Sequence, residues 1–134
     1  MSEVPNRGLL IRQPWLDHIL ANRKRWEIRS RPCRQSGPIA LIEAGRSHIR
    51  GVATLVATHG PLTASDWDHA QATGRIVGPE RDALGYPQAF GWELTDVHPL
   101  AHPVPYVHPR GAIIWVRLTD EVQAALRLQG HAQG

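Results

Sequence analysis

The sequence predicts an α+β fold, in which a strongly curved or closed sheet of about six strands is flanked by short helices. Two observations carry this. Apolar stretches of strand length follow one another through the middle of the chain instead of alternating with helices, which argues against a doubly wound parallel sheet. Helical start signals occur at Pro14, Thr63 and Thr119, and each opens a short segment. At 134 residues the chain reads as one domain, 1–134.

The elements follow in order. Residues 9–12 (LLIR) form a buried strand. Gln13-Pro14-Trp15 opens a helix, with proline suited to its first turn. Trp15, Leu16, Ile19 and Leu20 give that helix its apolar face. Asn22 sits where a helix C-terminus takes a residue tolerant of left-handed φ. A strand over 25–31 comes next. Its alternation puts Trp26 and Ile28 inward, and Arg25, Glu27, Arg29 and Arg31 together on the other face. Strands at 39–44 and 51–58 follow, the second ended by Gly60-Pro61. Thr63 caps the helix TASDWDHAQA, with Asp66 in the capping-box position. Residues 73–88 read as an irregular insertion. Phe90, Trp92 and Leu94 alternate inward in the next strand and put Glu93 on the opposite face. Prolines argue against regular structure over 98–109. Residues 112–118 form the last strand. A closing helix from Thr119 is expected to stop at Gly130.

Composition narrows the function classes. The net charge of +3 and the basic isoelectric point favour an anionic partner, weakly. A single cysteine, Cys33, excludes an internal disulfide and fits a reducing cytoplasm. No apolar run approaches membrane-spanning length, so no membrane partner is expected. Prolines after His98, His102 and His108 forbid two histidines on one helical turn, and there is no CxxC or HExxH. No metal and no other cofactor is expected. No GxSxG elbow, phosphate loop or dinucleotide fingerprint is present.

The stretch NRKRWEIRSRP, residues 22–32, carries the chemistry. Of fifteen Lys plus Arg residues, fourteen are Arg, and the one lysine is Lys24. A desolvated lysine can release its proton, which an arginine in a protein does not do. A lone lysine beside a carboxylate is therefore what general acid/base chemistry requires. Glu27 and Arg29 share a strand face about 7 Å apart; that spacing also suits a plain surface ion pair. Five tryptophans fall mostly on apolar faces. This leaves Trp67, Tyr86 and Tyr106 as stacking platforms for a base.

Several blocks together resemble one family. LLIRQPWLDHILANRKRWEIRSRP is similar to the opening of the ASCH (activating signal cointegrator homology) domain, with Gln13, Pro14, Asn22, Lys24, Glu27 and Arg29 at its signature positions. GPIALIEAG, RGVATLVA, FGWELTDVHPL and PVPYVHPRGAIIWVRL follow in the same order, so the resemblance spans 9–118. It implies a PUA-like fold, a small mixed β-barrel with flanking helices. It also implies recognition of single-stranded RNA or a modified nucleoside in a cleft lined by the signature. One branch resembles amidohydrolases that deacylate acylated cytidine with a catalytic Lys and a Thr three residues on; here Glu27 stands at the Thr position. The expected catalytic set is Lys24 with Glu27 or Glu93, Glu80 being a further carboxylate candidate. The expected contacts to substrate or nucleic acid are Gln13, Arg25, Arg29, Arg31, Trp67 and Tyr106. Three readings stay open at this point: a metal-independent amidohydrolase, a non-catalytic single-strand binder, and a ribonuclease.

Overall fold

The structure, a computed structural model, describes residues 4–77 and 87–133. Its elements are β1 (Arg7–Ile11), α1 (Trp15–Leu20), β2 (Trp26–Arg29), β3 (Gly37–Glu43), β4 (His48–His59), α2 (Ala64–Ala72), β5 (Phe90–Pro105), β6 (Trp115–Arg117) and α3 (Asp120–Gln133). The strands form one curled sheet in the order β2-β5-β4-β3-β1-β6. β1 runs parallel to β3, and every other neighbouring pair is antiparallel. The α+β reading with six strands and flanking helices therefore holds.

The sheet curls without closing a backbone ladder between its edge strands, β2 and β6. Side chains fasten that seam. Trp92 of β5 and Trp115 of β6 stack at 6.0 Å and 13°. The Arg29 guanidinium lies 5.6 Å from the Trp92 ring, and the Arg7 guanidinium 5.2 Å from Trp115, both within cation–π range. Arg29 Nη2 also donates to the Leu10 carbonyl of β1.

Each helix covers one part of the sheet. Leu16 and Ile19 of α1 pack on the inner face with Leu9, Ile11, Leu41, Leu55, Trp92 and Leu94. α3 packs by Leu126 on the outer face of the β1–β3–β6 end, against Ile42 and Val116. α2 covers the outer face of β2, where Trp67 and Ala70 meet Trp26 and Ile28. The capping box at Thr63 forms as expected: Asp66 N–H donates to Thr63 Oγ1 and Thr63 N–H to Asp66 Oδ2.

Four expectations change. β2 is only four residues long and both of its faces are covered, so Arg25, Glu27, Arg29 and Arg31 do not form one exposed face. Arg25 and Arg31 fall beyond its ends, while Glu27 and Arg29 point into the curl. Trp67 is core under α2, not a stacking platform. The proline-rich 98–105 segment is strand after all. β2 pairs with β5 only as far as Glu93, so beyond it β5 meets one neighbour, and a proline's missing N–H can face the open side. On that side Gln129 of α3 binds both backbone groups of His102. Finally, α3 runs through Gly130, whose φ is not left-handed, so nothing there terminates it.

Candidate active site around Lys24

The turn after α1 delivers Lys24. Asn22 adopts φ 64, the left-handed position expected of it. The N–H groups of Arg23 and Lys24 both donate to the His18 carbonyl. This tight exit reverses the chain and sends the lysine side chain back under the helix. Lys24 is 0% exposed, with Nζ 5.2 Å from the centre of the Trp15 ring.

β2 delivers the partners. Glu27 opposes Trp92 in the ladder, so its side chain shares the inner face with that ring. One carboxylate oxygen, Oε1, lies 3.9 Å from Lys24 Nζ, and the other, Oε2, lies 2.8 Å from Arg29 Nη2. A carboxylate with 5% of its side chain exposed thus sits between two cations, one wholly buried and one with 17% exposed. Burying these charges is costly except as a paired set, which fixes their geometry. The group carries one net positive charge and couples a group able to give a proton to one able to take it. Trp15 and Arg29 are its half-buried members, and they mark the side toward solvent.

The other expected site residues are spread more widely. Gln13 is exposed. Its amide donates to Asp17 Oδ1 and accepts from the Asp17 N–H, which fixes the start of α1. Arg25 is exposed and donates to the Thr73 carbonyl. Arg31 is exposed, and its carbonyl accepts from Trp92 Nε1. Tyr106 is half-buried, hydrogen-bonded to His108 Nδ1 at 3.0 Å, and its burial pushes its hydroxyl pKa up. Glu80 and Tyr86 lie outside the described residues.

Glu93 is parted from Lys24 by the sheet itself. It opposes Trp26 in the β2–β5 ladder, so it stands on the outer face, opposite Glu27. There its Oε1 lies 2.7 Å from His59 Nε2, and the His59 ring stacks on Trp26 at 4.4 Å and 11°. The sequence reading missed His59. The available signal was its place at the end of an alternating strand, just before Gly60-Pro61. Its pairing with Gly91 could be read only from the register.

A curled six-stranded α+β domain whose inner face carries a buried Lys–Glu–Arg group is the class that the fold and site define. No family model and no curated protein matches the chain by sequence. Solved structures do match it. ASCH from Zymomonas mobilis is 18% identical with a TM-score of 0.67, covering 91% of this chain and 93% of that one. A mutant form of the same protein matches at 16% identity and TM-score 0.65, covering 96% and 98%. A second mutant form matches at 18% and 0.63, covering 91% and 96%. The chain therefore has the ASCH fold, as the ordered sequence blocks implied.

Proposed function

We propose that the protein recognises RNA or a modified nucleoside and hydrolyses the amide of an acylated cytidine at Lys24. The observation that carries this is the complete burial of the one lysine amine beside a carboxylate. An amine with no exposed surface is poorly suited to contact the phosphates of a polymer, and its nearness to the Glu27 carboxylate supports a proton-exchange role instead.

The residues can be assigned steps that balance. Glu27 removes a proton from water as the oxygen attacks the acyl carbonyl carbon. Arg29, which already donates to Glu27 and to the Leu10 carbonyl, has further donors for the oxyanion that forms. Collapse of the tetrahedral intermediate breaks the carbon–nitrogen bond, and Lys24 gives its proton to the departing exocyclic nitrogen. Glu27 then returns the first proton to Lys24. The carboxylic acid and cytidine leave. Glu93, on the far face of the sheet, has no part in these steps.

Incubation with N4-acetylcytidine tests the reading, with release of cytidine above background as the expected result. No release from the free nucleoside or from acetylated single-stranded RNA would overturn it. The second reading, a non-catalytic single-strand binder, is favoured by the exposed Arg25 and Arg31 beyond the two ends of β2. Those guanidiniums suit phosphate contact, whichever way the chemistry at Lys24 falls.

A further inference from the structure

The outer face of the sheet carries a second cluster, separate from the Lys24 group. Trp26 lies flat on Gly91, where an added Cβ would run into the indole, so a residue without a side chain is required there. The His59 ring stacks on that indole, and Glu93 Oε1 fixes its Nε2. The Arg75 guanidinium lies 5.8 Å from the Trp26 ring.

Two features set this cluster apart from ordinary packing. The His59 and Glu93 side chains are 38% and 34% exposed, although both are held in fixed positions. The second carboxylate oxygen of Glu93 and Nδ1 of His59 have no hydrogen-bond partner among the described residues. A flat aromatic surface, an open acceptor beside it and a cation nearby are three of the elements by which proteins hold a base and its phosphate.

We propose that Trp26, His59, Glu93 and Arg75 form a second binding site, one that takes a nucleobase with N–H donors. The base stacks on the outer side of the His59 ring and extends the Trp26–His59 stack by one member. Its edge donates to the open oxygen of Glu93, and the attached phosphate lies toward Arg75. Guanine, with its ring N–H next to an exocyclic amine, is the best match for a carboxylate. Uracil, with one such donor between two carbonyl oxygens, is the poorest. The site does not depend on hydrolysis at Lys24, since the sheet lies between the two.

The test follows the imidazole Cε1–H signal of His59 by NMR, assigned with His59→Gln, during titration with each of the four 5′-ribonucleotides and with inorganic phosphate. GMP is expected to shift the signal saturably and most tightly. Glu93→Gln and Arg75→Ala should each weaken GMP by roughly tenfold, the scale of one lost contact or stacking interaction. Amide spectra of both variants check that they are folded. Lys24→Arg should leave the GMP affinity within about twofold while removing deacylation, so this site and the Lys24 chemistry fail independently. A short G-containing RNA run beside GMP separates a strand site from a free-nucleotide site, and either result supports the proposal. No shift with any nucleotide at millimolar concentration, an equal shift with phosphate alone, or full GMP affinity in folded Glu93→Gln would overturn it.

Discussion

Arg29 reaches the Glu27 carboxylate at 2.8 Å from the side opposite Lys24, so one buried acid is shared by a fixed cation and a proton donor. The arginine keeps its charge at any working pH, and only the lysine can pass a proton on. Under the proposed mechanism the two cations would therefore do different work on the same carboxylate.

Lys24→Arg should lower N4-acetylcytidine turnover by about 100-fold or more, the scale of losing an acid/base group. Substrate binding should be largely retained. Steady-state kinetics with a parallel binding titration check this, and thermal unfolding verifies that the bulkier side chain is accommodated. Unchanged hydrolysis in a folded variant would sink the proton-transfer role.

Glu27→Gln should destabilise the protein by about 3–5 kcal/mol, because it takes the carboxylate charge away from a largely buried pair of cations and leaves their charge less well compensated. A melting temperature roughly 10 °C or more below that of the parent is expected. A shift of only a degree or two would show that the pair is not desolvated as the structure has it.

Nucleic-acid affinity should fall with salt, with a log–log slope near −0.7 for each phosphate contacted on a single strand. Arg25→Ala and Arg31→Ala should each reduce the slope by one such increment. A flat dependence, or no binding at low salt, would remove these arginines from the interface.

Helix α2 should loosen in acid. Its capping hydrogen bonds with the Thr63 backbone and hydroxyl hold the Asp66 carboxyl below its ordinary value of 3.8. The folded-state pKa is depressed, so the stabilisation is present above pH 3.8 and is lost as pH falls through the lowered value. Asp66→Asn should flatten the acid limb of an α2 amide titration. An acid limb identical in the two proteins would show that the cap contributes nothing.

Chelation should leave turnover unchanged, because no three His, Cys, Asp or Glu side chains converge among the described residues. Loss of activity in EDTA, restored by a divalent ion, would contradict this and bring back the nuclease reading.

Much of the fold was legible because its determinants are local. The Thr63 box, the left-handed Asn22 and the inward alternation of Phe90, Trp92 and Leu94 each rest on a few neighbouring residues. What stayed hidden depends on distant partners. Alternation put Glu27 and Arg29 on one face, but only the curl of the sheet makes that face an interior. Trp67 carries no local mark of burial; it is core because Trp26 and Ile28 present a surface to α2. The proline run became strand because one side of β5 is free beyond Glu93. His59 met Glu93 through a register that spans 34 positions of sequence. Among the described residues no helix is long and apolar enough to cross a membrane.

The side-chain seam bears on how the proposed substrate would reach an amine that has no exposed surface. β2 pairs with a neighbour along one edge only, through four ladder positions, and Arg29 ties its other edge to Leu10. A four-residue edge strand with one ladder neighbour has few backbone hydrogen bonds to break when it opens. Lys24 stands two residues before it, and Glu27 and Arg29 ride on it, so an opening of β2 would uncover the whole group at once. Under the proposed hydrolysis, entry would be gated by the strand's own fluctuation, and the apparent dissociation constant of a substrate would rise by the reciprocal of the open fraction.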